Sequence, residues 1–186
     1  MIDAEGRLKL YELTAATRIP DGDRANTLCG VPDYIAPEVV LAAGHTCAVD
    51  LWAFGVLVFE LVSKKALFSR KGDAPAHLFS RIVEPEKTLA RVWSATSNYA
   101  TLVTGLLKRK GSDRLGHKHD GFAELWDHKF FRNLDPNRDF GADKAPWRPS
   151  AVRLAKDTNN DPLQHDDEDD DDFDLPLPPL SFLPSY

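Results

Sequence analysis

From Leu51 to Phe59 the chain contains no polar side chain, and no other stretch constrains the fold as strongly. Extended to Val62 the run is broken by one acid, Glu60, and it opens at Asp50. A helix built from it is apolar on every side rather than along one stripe, so other elements have to surround it. It is far shorter than the ~20 residues needed to span a bilayer. The segment is therefore expected to be the central helix of a folded domain, with Asp50 capping its N-terminus. A carboxylate in the place of Glu60 is costly inside such a helix unless it is paired or has a task.

The elements that surround this helix are also legible. Ile2 to Leu10 reads as a hairpin turning at Gly6, with Leu8 and Leu10 on the covered face of a half-buried strand. Residues 14–33 show no period and contain Pro20, Gly22, Gly30 and Pro32, which marks a loop. Short helices are expected near 37–42 and 122–126, and longer ones near 75–84 and 99–109. Pro75 suits a first helical turn. Tyr99, Leu102, Val103, Leu106 and Leu107 recur at helical spacing.

Charge is distributed unevenly. The total is −6, but residues 156–186 hold Lys156 against ten acids and so carry −9, which leaves +3 on the rest. The acidic run and the prolines at 176, 178, 179 and 184 have the composition of disorder. Such a tail repels nucleic acid and anionic membranes, so neither is expected as a partner. Two cysteines, Cys29 and Cys47, are too few for a disulfide framework and suit a reducing compartment. With no basic and apolar leader at Met1, a soluble, cytoplasmic protein is the expectation.

The most specific words of the sequence are Thr27-Leu28-Cys29-Gly30-Val31-Pro32-Asp33-Tyr34-Ile35-Ala36-Pro37-Glu38. They resemble the end of the activation segment of protein kinases, which closes on Ala-Pro-Glu. The whole run is most similar to Ser/Thr kinases of the AGC group, the cyclic-AMP- and cyclic-GMP-dependent kinases above all. Further motifs follow in that family's order. Val49 to Val56 resembles the segment entering the central helix. Asp113-Arg114-Leu115-Gly116 resembles its Arg-Leu-Gly signature, and His128-Lys129-Phe130-Phe131 the aromatic motif that closes the domain. The resemblance implies a mainly α fold, the kinase C-lobe with a small β-hairpin and without the N-lobe. It divides the chain into a partial kinase domain at 1–135, an AGC-type extension at 136–156 and the acidic, Pro-rich tail at 157–186.

What the resemblance implies about sites follows residue by residue. Asp33 and Glu60 match positions that grip arginines before the phosphoacceptor, a task suited to carboxylates because the guanidinium fork engages both oxygens. An internally paired Glu60 is the alternative. Thr27 matches the phosphorylation site of the activation loop. Glu38 and Arg114 match a buried ion pair, and Asp50 a carboxylate that organises the catalytic loop by accepting backbone N–H groups. No catalytic residue is assigned. Glu12 stands where the family has the Mg²⁺-binding Asp of Asp-Phe-Gly.

That position reads Glu12-Leu13-Thr14, and octahedral Mg²⁺ tolerates little displacement of its oxygens. Thr14 replaces a glycine that lets the loop flip. Val31 replaces a threonine whose hydroxyl bonds the catalytic groups. No Gly-rich loop, strand lysine or His-Arg-Asp loop occurs before the hairpin. The expectation is a partial Ser/Thr kinase domain whose family phosphorylates basic motifs with ATP and Mg²⁺, with this chain inactive alone, needing no cofactor by itself and partnered by a basic peptide and a missing N-lobe. The alternative is a pseudokinase or binding module that docks Arg-containing peptides through Asp33 and Glu60.

Overall fold

A computed structural model describes residues 2–4, 6–92, 97–118 and 121–132. The expectations for 136–156 and 157–186, and the end of the domain at 133–135, lie outside the described residues. Those described fall into two compact units, one running through Thr14 and one beginning at Ala15.

The first unit is a turn rather than a sheet. Ile2 and Leu8 form one antiparallel bridge, and Asp3 accepts the Arg7 amide on its side chain at 2.8 Å. Leu8 and Leu10 are 80% and 90% exposed, so the half-buried strand expected from their alternation does not form. A single bridge has no second strand and no covering layer, and two-stranded pieces of this size have little stability of their own.

The second unit is helical. Its helices are α1 (Pro37–Val40), α2 (Ala48–Ser63), α3 (Pro75–Val83), α4 (Pro85–Val92), α5 (Asn98–Leu106) and α6 (Phe122–Trp126). The 3₁₀ turns Pro32–Tyr34 and Gly111–Asp113 pack against α2. Prolines open α1, α3 and α4, where a missing amide costs nothing and a fixed φ suits the first turn. α5 is capped by Ser97, whose hydroxyl accepts the Ala100 amide at 3.2 Å.

Four features depart from the sequence reading. α2 begins at Ala48, not Asp50. Cys47 sits at the cap, Thr46 Oγ1 accepts the Ala48 amide at 3.4 Å, and Asp50 lies exposed within the first turn, where the helix dipole favours an acid without capping it. α2 is also not buried all round: Trp52, Gly55, Val56 and Phe59 are covered, whereas Leu57 and Leu61 are 40% and 64% exposed. The described neighbours reach only part of its circumference. α4 was not anticipated, because Glu86, Lys87, Thr88 and Arg91 obscure its apolar period. α5 stops at Leu106 instead of 109, since the carbonyls of Lys108 and Arg109 bond the Arg114 side chain rather than a further helical turn.

The core forms where α2 crosses α5. Trp52, Val56, Phe59, Leu102, Val103 and Leu106 are all buried there. Gly55 sets the distance between the two helices: a β-carbon on it would lie 2.9 Å from both Leu106 Cβ and Leu107 Cδ2. The Trp52 and Phe68 rings stack at 5.6 Å, and the Tyr99 hydroxyl donates to the Phe59 carbonyl at 3.2 Å.

Candidate functional site

Two groups of charged side chains flank this core. The first is closed. Arg114 has no exposed surface. Its Nη1 and Nη2 each meet one oxygen of Glu38 at 2.7 Å, a bidentate fork. Nη1 also donates to the Ala48 carbonyl at 2.7 Å, Nη2 to Arg109 at 3.4 Å and Nε to Lys108 at 3.0 Å. All five N–H donors of the guanidinium are thereby used. Its plane lies 5.1 Å over the Trp52 ring. The arrangement ties α1, the start of α2 and the loop after α5 to one point.

The second group is only partly satisfied. The 3₁₀ turn carrying Asp33 and Tyr34 packs on α2, which carries Glu60. The Tyr34 hydroxyl donates to Glu60 Oε2 in a short hydrogen bond. Burial, that bond and the charges of Glu60 and Asp33 push the Tyr34 phenol up to about 12. Asp33 Oδ1 is buried, and among the described residues it has no hydrogen-bond partner. Such an atom is unfavourable unless something donates to it. The Tyr34 phenol thus bonds Glu60 on another element and lies within the field of Asp33, whose Oδ1 has no partner among the described residues.

Thr27 is exposed, and it lines a cleft of about 390 Å³ together with Val31, Tyr34 and Asp50. Among the described residues the Asp50 carboxylate accepts no hydrogen bond. Glu12 is exposed, with φ at 57°. Among the described residues no group of three or more His, Cys, Asp or Glu is placed to hold a metal ion. One exposed carboxylate of this kind does not make a Mg²⁺ site by itself. No helix of the described residues is long and apolar enough to cross a membrane.

Sequence reasoning did not single out Tyr34, the hinge between the two acids. Its signal was its place next to Asp33, but which acid its hydroxyl would meet depends on α2. It also passed over Arg24, Arg109 and Lys110, although Lys108-Arg109-Lys110 is a basic triplet.

Comparison with known proteins bears on this geometry. Residues 1–131 match the family described as the protein kinase domain. The chain is 33% identical over 144 residues to the atypical protein kinase C of Drosophila melanogaster, an alignment covering 73% of this chain and 23% of that protein. With the cAMP-dependent protein kinase catalytic subunit 2 of the same organism it shares 31% over 164 residues, covering 86% of this chain and 44% of the relative. With ribosomal protein S6 kinase alpha-2 of Mus musculus it shares 32% over 164 residues, covering 87% and 22%. The chain spans less than half the length of each of these relatives.

Proposed function

Because this chain belongs to the protein kinase family, within its AGC group, we propose that it forms the peptide-docking face of a Ser/Thr kinase C-lobe, where Asp33 and Glu60 grip an arginine of a basic substrate. The observation that carries this reading is the unpartnered, buried Oδ1 of Asp33 beside the Tyr34–Glu60 pair. A guanidinium beside the two acids would donate to the Glu60 oxygen that Tyr34 leaves over, and to Asp33 Oδ1 once the groups covering it move aside. Tyr34 holds Glu60 in place through its own donor, so the carboxylate is oriented before a peptide arrives. Orientation of this kind lowers the ordering cost of binding.

In the intact enzyme ATP would supply the phosphoryl group and Mg²⁺ would neutralise and orient its phosphates. The residues of this chain bind and orient the acceptor peptide. Thr27, exposed on the cleft rim, is the proposed phosphorylation site, where a phosphate adds about −1.5 to −2 charges. The kinase N-lobe is the second proposed partner.

A second reading is favoured by Glu12, Thr14 and Val31. At all three positions the side chain or backbone chemistry differs from the pattern that phosphoryl transfer uses in this family. On this reading the lobe docks Arg-containing peptides without transferring phosphate.

The test is titration of a labelled Arg-rich peptide into wild type and Glu60→Gln. Weak, salt-sensitive binding that Glu60→Gln reduces, with the melting temperature kept, supports docking. Identical curves, or no binding at low salt, overturn it. Melting with Mg·ATP tests the expectation, common to both readings, that this chain alone transfers no phosphate. Tight nucleotide binding stabilises by about 2.7 kcal/mol at a hundredfold excess over Kd, and a clear shift of that size overturns it.

A further inference from the structure

A second cleft, about 340 Å³, shares His45 and Thr46 with the Thr27 cleft and lies between the segment Ala43–Thr46 and the loop Arg109–Ser112. Its charged lining is almost wholly basic: Arg24, Arg109 and Lys110, with the imidazoles of His45 and His117. The one acid in the lining is Glu38, and both of its oxygens are taken by Arg114. Among the described residues, Arg24, Arg109 and Lys110 form no ion pair with a carboxylate. Two acids lie close by. Glu84 is within electrostatic reach of Arg109 but pairs with Lys87, and Asp113 accepts the Ser112 hydroxyl at 3.0 Å.

Both walls are held in place. On one side, Ala25 and His45 exchange backbone hydrogen bonds at 2.9 and 2.8 Å. There Arg24 Nη1 donates to the Gly44 carbonyl at 3.1 Å. Gly44 is buried, and a β-carbon on it would come within 3.1 Å of Arg24 Cδ, so the arginine stem is packed rather than loose. On the other side, the carbonyls of Lys108 and Arg109 are bound by the buried Arg114. That contact fixes the backbone of the loop and leaves the side chains of Arg109 and Lys110 at the surface.

Three permanent cations gathered in one cleft repel each other, and among the described residues no carboxylate pairs with any of them, Glu84 acting on Arg109 only through space. A single carboxylate neutralises one of them. A phosphate group carries up to two charges and three strong acceptor oxygens, and arginine forks match it. We propose that this cleft is a binding site for a phosphate-type anion, either free phosphate or a phosphoryl group on a peptide side chain. It is separate from the Asp33–Glu60 face and does not depend on how that face is used.

Inorganic phosphate is titrated into the full chain at constant ionic strength, with the backbone amide resonances of Gly44, Gly111 and Ser112 as the readout. A phosphoserine peptide and its unphosphorylated form make the second arm. The expected result is a saturable shift with phosphate, absent with chloride. Its apparent Kd should rise about tenfold or more in Arg109→Gln/Lys110→Gln, since each charge-assisted hydrogen bond lost is of that order. Glu60→Gln should bind phosphate like wild type. A phosphopeptide that binds more tightly than inorganic phosphate identifies a peptide-borne group as the source, and one that does not identifies the free anion. The proposal is overturned by the absence of a saturable shift, by an equal shift with chloride, or by an unchanged Kd in the double variant. Both substituted side chains are exposed, and Lys110→Gln alone repeats the test if the double variant melts early.

Discussion

Glu38 and Glu60 are two glutamates on helices of the same unit, and the molecule treats them in opposite ways. Around Glu38 every donor and acceptor is matched. Arg114 fills both carboxylate oxygens and spends its remaining N–H groups on three carbonyls. Around Glu60 the matching is incomplete. One phenol serves it, and among the described residues Asp33 keeps a buried oxygen without a partner. A closed network of this kind holds elements together and has nothing left for a ligand. An incompletely matched one adds less to the fold, and its spare acceptors are what the proposed docking of an arginine would use. The contrast lies in the surroundings, since the side chains themselves are alike.

The largest expected difference between the two regions is in stability. Arg114→Ala leaves Glu38 and three carbonyls without their donor and should cost about 3–5 kcal/mol, measured by urea unfolding. Arg70→Ala on the exposed surface should stay within about 0.5 kcal/mol. Equal losses would mean that the clamp is no more than a surface pair and would end the comparison. Arg114→Lys sharpens it. Lysine keeps the charge but not the planar fork, and it should recover only part of the loss.

A smaller effect is expected at Glu60. Glu60→Gln should leave stability within about 1 kcal/mol, while the phenol of Tyr34 returns from about 12 toward the ordinary 10. Ultraviolet titration of the tyrosines reads this directly. The sign for stability follows from the direction of the shift. The folded chain holds the phenolic proton more tightly than the unfolded chain, so the contribution is present below pH 10 and is lost as pH rises toward 12. An unmoved Tyr34 would show that Glu60 is not what holds its proton.

Asp33→Asn should change stability least of the three acids, or raise it slightly. It removes charge from a place where one oxygen has no donor. A loss comparable to that of Arg114→Ala would show that Asp33 belongs to a closed network after all. The smallest effect lies outside both regions and serves as a background. Burial, then the charge of Lys129, holds the His128 imidazole below its ordinary value. Its Nδ1 accepts the Phe130 amide at 3.2 Å, and its Nε2 lies 3.2 Å from Thr101 Oγ1. The neutral ring is the one the fold prefers, so a small part of stability should fade as pH falls below about 6.5. His128→Gln should flatten that slope without touching the tyrosine titration.

Much of the fold was legible from local pattern. α6 lies over the residues expected, and α1 and α3 begin at theirs, because proline openings and helical spacing act within a few residues. The errors share a cause. Asp50 suits a cap because acids favour helix starts, but α2 begins at Ala48, entered from the Thr46 turn. Leu107 keeps the apolar period and so extends the expected α5, while the carbonyls beyond it are bound by Arg114. The Leu8–Leu10 alternation looked like half a sheet with no second half among the described residues.

The sequence by itself determined that a nonpolar helix would sit at the centre of a helical domain. Through the run from Thr27 to Glu38 and the motif at Arg114, it also determined which family the chain belongs to. These are one-dimensional facts: hydrophobic burial follows composition along a helix, and motif order survives in the chain. Only the tertiary structure decided what each charge does. Arg114 stands 76 positions from Glu38, and Tyr34 stands 26 from Glu60. Whether a carboxylate ends up with its lone pairs filled or with one left open depends on donors brought from that far away, and on how much water the packing between them excludes.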